Sequence, residues 1–393
     1  METLDILHYV RVLERGGTET FIFNNLRRIN GNGERLFRFD FMLVENGDHA
    51  YETEIREYGC EKFFFSVSGG NRFVNYWNRF KALYAVLKAR RYPVIHFESV
   101  FPSNIMDTAP ILAAWMAGTP VRVLHSHSAG SSASKSGFRR VIESLCRRIN
   151  VGLCTDYAAP SEAAALYGFG PRIVRQKKYR TIPNGIDLER FRYDGQLRAS
   201  MKEKLGRKNS RIIGTVGRLD KVKNHRLLLD IFHALHEREH NLALMIVGGE
   251  VANSPNQYEE LVGHAEELGI RDSVDFIKGV TDVRPYLCSM DLFLVTSDME
   301  ALCIAAIEAQ ANGLRVVARR ESVPQDAEMG EFFLWVEKTG GIPEWCQAVS
   351  EGLRLGRVDA DLNTGNFPRY DIRNTAKQLA DFYLQACQRR GCD

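Results

Sequence analysis

Short β-branched runs separated by helix-length amphipathic segments recur along this chain, and midway the rhythm stops and starts again. Leu4 to Val10, Phe37 to Val44, Pro93 to Phe97, Val121 to His125, Leu153 to Ala158 and Arg180 to Ile182 read as strands. Helices are expected over Thr18 to Asn30, Asn75 to Ala89 and Phe138 to Asn150. The second series has strands at Arg211 to Val216, Ala243 to Val247, Val274 to Ile277, Leu292 to Val295 and Leu314 to Val317, with helices at Asn224 to His236, Asn256 to Leu268, Glu300 to Asn312 and Glu344 to Leu355. Repeated βα units build parallel sheets covered by helices on both faces. Two such series predict an α/β chain of two Rossmann-like, doubly wound parallel-sheet domains facing a central crevice, residues 1–187 and 188–370. The polar stretch Asn184 to Asn209 reads as a hinge. Residues 371–393 carry a last helix with Ile372, Leu379, Phe382, Tyr383 and Ala386 on one stripe, expected to cross back to the first domain.

A length of 393 residues suits two domains, and 45% hydrophobic with 26% charged residues excludes a disordered or collagen-like chain. The longest apolar stretches, Ala109 to Ala117 and Leu242 to Val247, fall short of the roughly 18–20 residues of a membrane span. Glu2 and Asp5 stand where a signal peptide would be basic, so a cytoplasmic chain is expected. Eight cysteines without a C-x-x-C pair read as reduced thiols, neither a disulfide framework nor a zinc site. Lys and Arg exceed Asp and Glu by 8 over residues 1–193 and fall short by 5 over 194–393, so the net +3 conceals an asymmetry that suggests different partners for the two halves.

Four constellations can carry chemistry. Gly16 and Gly17 follow the first strand and precede a helix, where backbone N–H groups can approach a phosphate; a plain tight turn explains them equally well. His125 and His127 end the strand Val121 to His125, at the edge where open α/β sheets place ligands. They read as ligand-contacting, helix-capping or packing histidines, His127 being the better contact candidate; no further clustered His, Cys or carboxylate is apparent to complete a metal site. Arg218 and Lys223, after Arg211 to Val216, can converge on a diphosphate or simply form a solvated basic turn. Glu300 and Glu308, if on one helix, would have Cα atoms about 12 Å apart, too far to share a glycosidic bond but suited to gripping separate hydroxyls on an elongated ligand. A helix-start Glu300 with a surface Glu308 is the plainer alternative. Finally, Tyr76, Trp77, Arg79, Phe80, Lys81, Tyr84, Lys88, Arg90 and Arg91, with Arg139, Arg140, Arg147 and Arg148, form basic stretches that suit either an anionic membrane surface or solvated helices. Without a recognised binding module, nucleic acid is not the expected partner.

Taken together, Glu300-x7-Glu308, G-R-L-x3-K-N-H from Gly217, and I-P-N-G-I-D-L-E-R-F from Ile182 to Phe191 resemble the retaining GT-B glycosyltransferases of family 4, in the branch that builds bacterial capsular and exopolysaccharides. The resemblance covers almost the whole chain. It implies that Gly16 and Gly17 face the donor phosphates, His127 contacts the donor sugar, and Arg218 and Lys223 neutralise the leaving diphosphate. It further implies that Glu300 holds sugar hydroxyls and Glu308 the ribose, with Ala301, Leu302, Cys303 and Ile304 supplying backbone amides. Asn184 belongs to a turn near the crevice. The family commonly reads E-G-[FL]-[PG] where this chain has Glu300, Ala301, Leu302 and Cys303. The expected activity is metal-independent transfer of a sugar, with retention, from a nucleotide sugar, UDP-linked by preference. No cofactor is expected, and the acceptor is a saccharide or polyprenyl-diphosphate-linked saccharide at the inner face of the cell membrane. Another nucleotide-sugar enzyme of this fold, such as a 2-epimerase, or a non-catalytic sugar-nucleotide-binding partner of a polysaccharide assembly complex are the alternatives.

Overall fold

The computed structural model describes residues 3–13, 16–31, 36–44, 51–65, 72–99, 105–128, 130, 137–239, 241–250, 254 and 256–392. The chain forms two compact units, Met1–Ile186 together with Arg369–Asp393, and Asp187–Pro368.

In the first unit the strands are β1 (Leu4–Val10), β2 (Phe37–Leu43), β3 (Lys62–Phe64), β4 (Val94–Ser99), β5 (Val121–Ser126), β6 (Asp156–Ala159) and β7 (Arg180–Thr181), ordered β3-β2-β1-β4-β5-β6-β7 in one sheet. Every pairing is parallel, so both faces must be covered. One face packs Ile6, Phe37, Phe39 and Phe41 against Phe21 and Phe23 of helix Gly17–Asn30 and Leu379 and Tyr383 of helix Ile372–Gln388. The other packs Leu7, Ile95 and Leu124 against Leu83, Leu87, Ile111 and Ala114. Two apolar layers explain why the strands read as near-continuous hydrophobic runs.

The second unit repeats the plan with β8 (Arg211–Val216), β9 (Leu242–Val247), β10 (Val274–Ile277), β11 (Leu292–Val295), β12 (Val316–Arg319) and β13 (Phe333–Val336), ordered β10-β9-β8-β11-β12-β13 and parallel throughout. Ile213, Leu244 and Leu294 meet Leu228, Phe232 and Trp345 on one face, while Ile212, Met245 and Phe293 meet Cys303, Ala306 and Ala309 on the other. In each sheet the order reverses beside the first strand of the unit, between β1 and β4 and between β8 and β11; ligands of open α/β sheets bind outside the carboxyl ends at such switch points.

Several elements differ from expectation. The hinge read over Asn184 to Asn209 contains helix Gly195–Lys204, capped by Asp194, whose Arg198 donates to the carbonyls of Cys288, Ser289 and Met290 and to Asp291. Its polarity includes these specific bonds. Leu153 ends helix Gly137–Leu153 and does not begin a strand. The short edge strands β3 and β13 have little sequence signal, because three or four residues show too little alternation. Glu300 lies before helix Ile304–Ala311, not on it. All eight cysteines are free, six of them buried. Among the described residues no helix is long and apolar enough to cross a membrane.

Candidate active site

In the second unit, β8 and β11 are neighbours, and the segments leaving their carboxyl ends are stitched together. The Thr296 hydroxyl donates to the Lys223 carbonyl (3.0 Å), the Asp298 amide donates to the Val222 carbonyl (2.8 Å), and the Asn224 amide nitrogen donates to Asp298 (3.2 Å). This brings Lys223 Nζ to 2.6 Å from Glu300 Oε1, which also accepts from the Ser297 hydroxyl at 2.6 Å. Burial works against the Lys223 ammonium, but the adjoining carboxylate outweighs it and holds the ammonium above its ordinary range. Arg218, a further cation of this turn, is exposed and lies 3.2 Å from Asp220.

Beyond Glu300, whose own amide donates to the Ser322 carbonyl, the chain passes Ala301 and buried Leu302 to Cys303. Cys303 takes the left-handed conformation (φ 66°, ψ 67°) and caps helix Ile304–Ala311. A non-glycine residue there is strained. Burial pushes its thiol up to about 12. The first amides of a helix have no partners within it, so this loop brings N–H groups and a dipole beside the Lys223–Glu300 pair. One turn into the helix, burial raises the Glu308 carboxyl to about 8, only partly offset by Arg190. Arg190 belongs to the Ile182 to Phe191 motif, and the Asn312 side chain donates to the Phe191 carbonyl (2.8 Å), tying that turn to the end of the helix.

The first unit holds a separate group. Gly16 caps helix Gly17–Asn30 with extended backbone, and a Cβ on it would meet Glu19 Oε2 at 2.5 Å. Asn184 Nδ2 donates to the Gly17 carbonyl (3.1 Å), while its Oδ1 is buried without a hydrogen-bond partner. Gly185 lets the final helix close in: a Cβ there would sit 1.9 Å from Thr375 Oγ1. His127 follows β5 directly and donates or accepts through Nε2 at 2.6 Å from Glu98 Oε2; His125 is fully buried and contacts His96. The expectation that no other His or carboxylate gathers at these histidines is corrected: His8, His96 and Glu98 join them. His96-x-Glu98 and His125-x-His127 place polar side chains on one face of strands that should be apolar, a signal the sequence carried. Of the basic stretches, the side chain of Arg139 lies outside the described residues.

Comparison with known proteins decides the family. The model for Glycosyltransferase Family 4 matches residues 15–190, and that for Glycosyl transferases group 1 matches residues 198–329. The chain is a family 4 glycosyltransferase. This glycosyltransferase is 27% identical over 386 residues to the putative glycosyltransferase EpsF of Bacillus subtilis, covering 96% of both chains. It is 22% identical over 385 residues to the capsular polysaccharide biosynthesis glycosyltransferase CapH of Staphylococcus aureus, covering 97% of this chain and 99% of the relative. Among solved structures it shares the GT-B fold of Anabaena HepE, crystallised with UDP and glucose: TM-score 0.75 at 18% identity, with 97% and 99% of the two chains covered.

Proposed function

We propose that this glycosyltransferase moves a hexosyl group from a UDP-sugar to a saccharide or polyprenyl-diphosphate-linked saccharide, with retention of anomeric configuration, in the assembly of a cell-surface polysaccharide. The name of CapH supports the polysaccharide, and the UDP complex of HepE supports the donor. The observation that carries the reading is the Lys223–Glu300 contact beside the start of helix Ile304–Ala311. Donor cleavage places negative charge on the departing diphosphate, and a preorganised cation with helix amides stabilises it. Glu300, already oriented by Ser297, accepts from sugar hydroxyls; Glu308 accepts from the ribose; His127 contacts the sugar.

In the step we infer, the bond from the anomeric carbon to the diphosphate oxygen breaks while the acceptor oxygen bonds to that carbon on the same face. The acceptor's proton passes to the leaving phosphate oxygen, so no protein nucleophile is required. Lys223, Arg218 and the loop amides supply the positive charge, and transfer in excess chelator is the expected result.

The acceptor reading draws on an exposed face of the first unit. Helix Gly137–Leu153 presents Val141, Leu145 and Ile149 along one stripe, with Val141 66% and Leu145 57% exposed, beside Arg140, Arg147 and Arg148. The helix packs against Ile105–Ala117, which exposes Trp115 and Met116 and in turn packs against Arg72–Arg90, which exposes Trp77. Apolar side chains ringed by arginines complement an anionic bilayer. The decisive experiment is a thermal-shift screen of nucleotide sugars on the purified chain, followed by transfer to a lipid-linked acceptor with the product anomer read by NMR. Stabilisation by a UDP-sugar and a retained anomer are expected; no stabilisation by any nucleotide sugar, or an inverted product, overturns the reading.

A further inference from the structure

Five side chains from three neighbouring strands meet in the first unit. The parallel register sets His8 of β1 beside His96 of β4, and Glu98 of β4 beside His125 of β5. The two-residue period then places Glu98 on the face of His96 and His127 on that of His125. Glu98 Oε1 lies 2.8 Å from His8 Nδ1 and 3.5 Å from His96 Nε2, while Oε2 lies 2.6 Å from His127 Nε2 and 3.4 Å from His125 Nδ1. His96 Nε2 and His125 Nδ1 are 3.1 Å apart, and His96 Nδ1 meets Tyr383 Oη of the final helix at 2.5 Å. Phe21 closes the group, edge-on to His125.

Converging ring nitrogens and a carboxylate suggest a metal, but the distances decide otherwise. Ligands about 2.0–2.2 Å from a tetrahedral ion stand roughly 3.3 Å apart, whereas 2.6 and 2.8 Å are hydrogen-bond lengths. The contacts of Glu98 with His8 and His127 are therefore hydrogen bonds, each holding one proton. Burial opposes the charge on Glu98, yet its imidazole neighbours hold the carboxyl well below its usual range, and burial drives His96 down to about 3 and His125 well below the usual range. The result is an ionised carboxylate in a fully buried site, an arrangement that apolar residues replace at little cost when only stability matters. Of its four histidines, His127 alone lies past the strand end, and among the described residues no hydrogen bond uses its Nδ1. A neutral imidazole that donates from Nε2 carries its lone pair on Nδ1.

We propose that Glu98 is a positioning residue for His127: it fixes the ring and its Nε2–H tautomer, so that Nδ1 faces the donor sugar as a hydrogen-bond acceptor, while His8 and the Tyr383–His96 contact hold the assembly in place. A sugar hydroxyl donating to Nδ1 is polarised in the direction that favours positive charge developing at the anomeric carbon. The inference rests on the reading of His127 as a sugar contact, but its first test does not.

In chain labelled with 15N-histidine, and with the His127 signals assigned by their loss in His127→Asn, the wild type should show a protonated Nε2 and a bare Nδ1. A proton on Nδ1 overturns the proposal, and this measurement needs no change at Glu98, so a variant that fails to fold does not shelter it. In Glu98→Gln the single amide oxygen serves only one of His8 and His127. The tautomer signature should be lost, with kcat down by up to about 100-fold and donor KM within about threefold; Glu98→Asp, which keeps the charge, should recover part of both. An unchanged signature and unchanged kcat in folded Glu98→Gln overturn the proposal, as does one equivalent of a transition metal retained by the purified wild type. Absence of transfer by the wild type with every donor defeats the assigned function instead, and leaves the tautomer result standing.

Discussion

Lys223 Nζ and Glu300 Oε1 stand 2.6 Å apart across 77 residues of sequence, held there by two strands that are neighbours in the sheet and by backbone bonds between the segments that follow them. The pairing keeps the ammonium charged against the cost of burial and aims it from a fixed position. A preorganised charge needs no rearrangement when the diphosphate departs.

Replacing that cation should therefore affect turnover more than binding. Lys223→Ala is expected to lower kcat by about 100-fold or more with a smaller change in donor KM, and to cost about 1–3 kcal/mol of stability because Glu300 loses a partner. Steady-state kinetics with the donor found in the thermal-shift screen, and denaturant melts of both proteins, check each part. Equal kcat in variant and wild type would remove Lys223 from the leaving-group role.

Glu308 gives a pH-dependent signature. Burial pushes its carboxyl up to about 8 in the folded chain, against the ordinary glutamate value of 4.5 when unfolded, so between those values the folded state holds a proton that the unfolded state has released. Its contribution to stability thus falls as pH rises from about 4.5 and levels off above about 8. Glu308→Gln removes this dependence, and its melting temperature relative to wild type should rise steadily from pH 5 to 8.5. Binding of UDP, which wants the carboxylate as an acceptor, should release a proton at pH 7, seen as a buffer-dependent enthalpy in titration calorimetry. Identical pH profiles for the two proteins would place Glu308 in a less confined environment.

Much of the second unit's site was legible because its motifs lie within short segments: Lys223 follows a strand and Glu300 follows another. Their mutual contact was not, since nothing local says which strands are adjacent. The histidine cluster was harder still. His8, His96 and His125 stand 29 to 117 positions apart, and only the parallel register brings them together. The helical spacing of Glu300 and Glu308 failed for a local reason: the helix begins only after Cys303, which caps it in a conformation that its residue type does not advertise.

That conformation can be measured. Alanine and glycine at position 303 both delete the buried sulfur, so the difference between them isolates the backbone, and Cys303→Gly should be more stable than Cys303→Ala by about 1–2 kcal/mol. In an ordinary helical position glycine would be the less stable of the two by about 1 kcal/mol, so the sign of the difference is the test. The wild-type thiol, pushed up by burial to about 12, should also resist alkylation at pH 8 in the native chain.

Membrane contact depends on both halves of the exposed face of helix Gly137–Leu153. Burying a Val or Leu side chain contributes about 1.5–3 kcal/mol, and each basic residue near an anionic surface adds about 1 kcal/mol; neither alone gives stable attachment. Val141→Asp/Leu145→Asp should therefore lower binding to vesicles containing phosphatidylglycerol by at least about tenfold, and 0.5 M salt should weaken wild-type binding by screening the arginines. Transfer to a water-soluble acceptor should be unchanged in the variant, because these side chains point to solvent and lie outside the residues assigned to the donor. Vesicle flotation decides it: wild-type protein that ignores anionic lipid, or a double variant that floats as well as wild type, would leave this face without a bilayer partner.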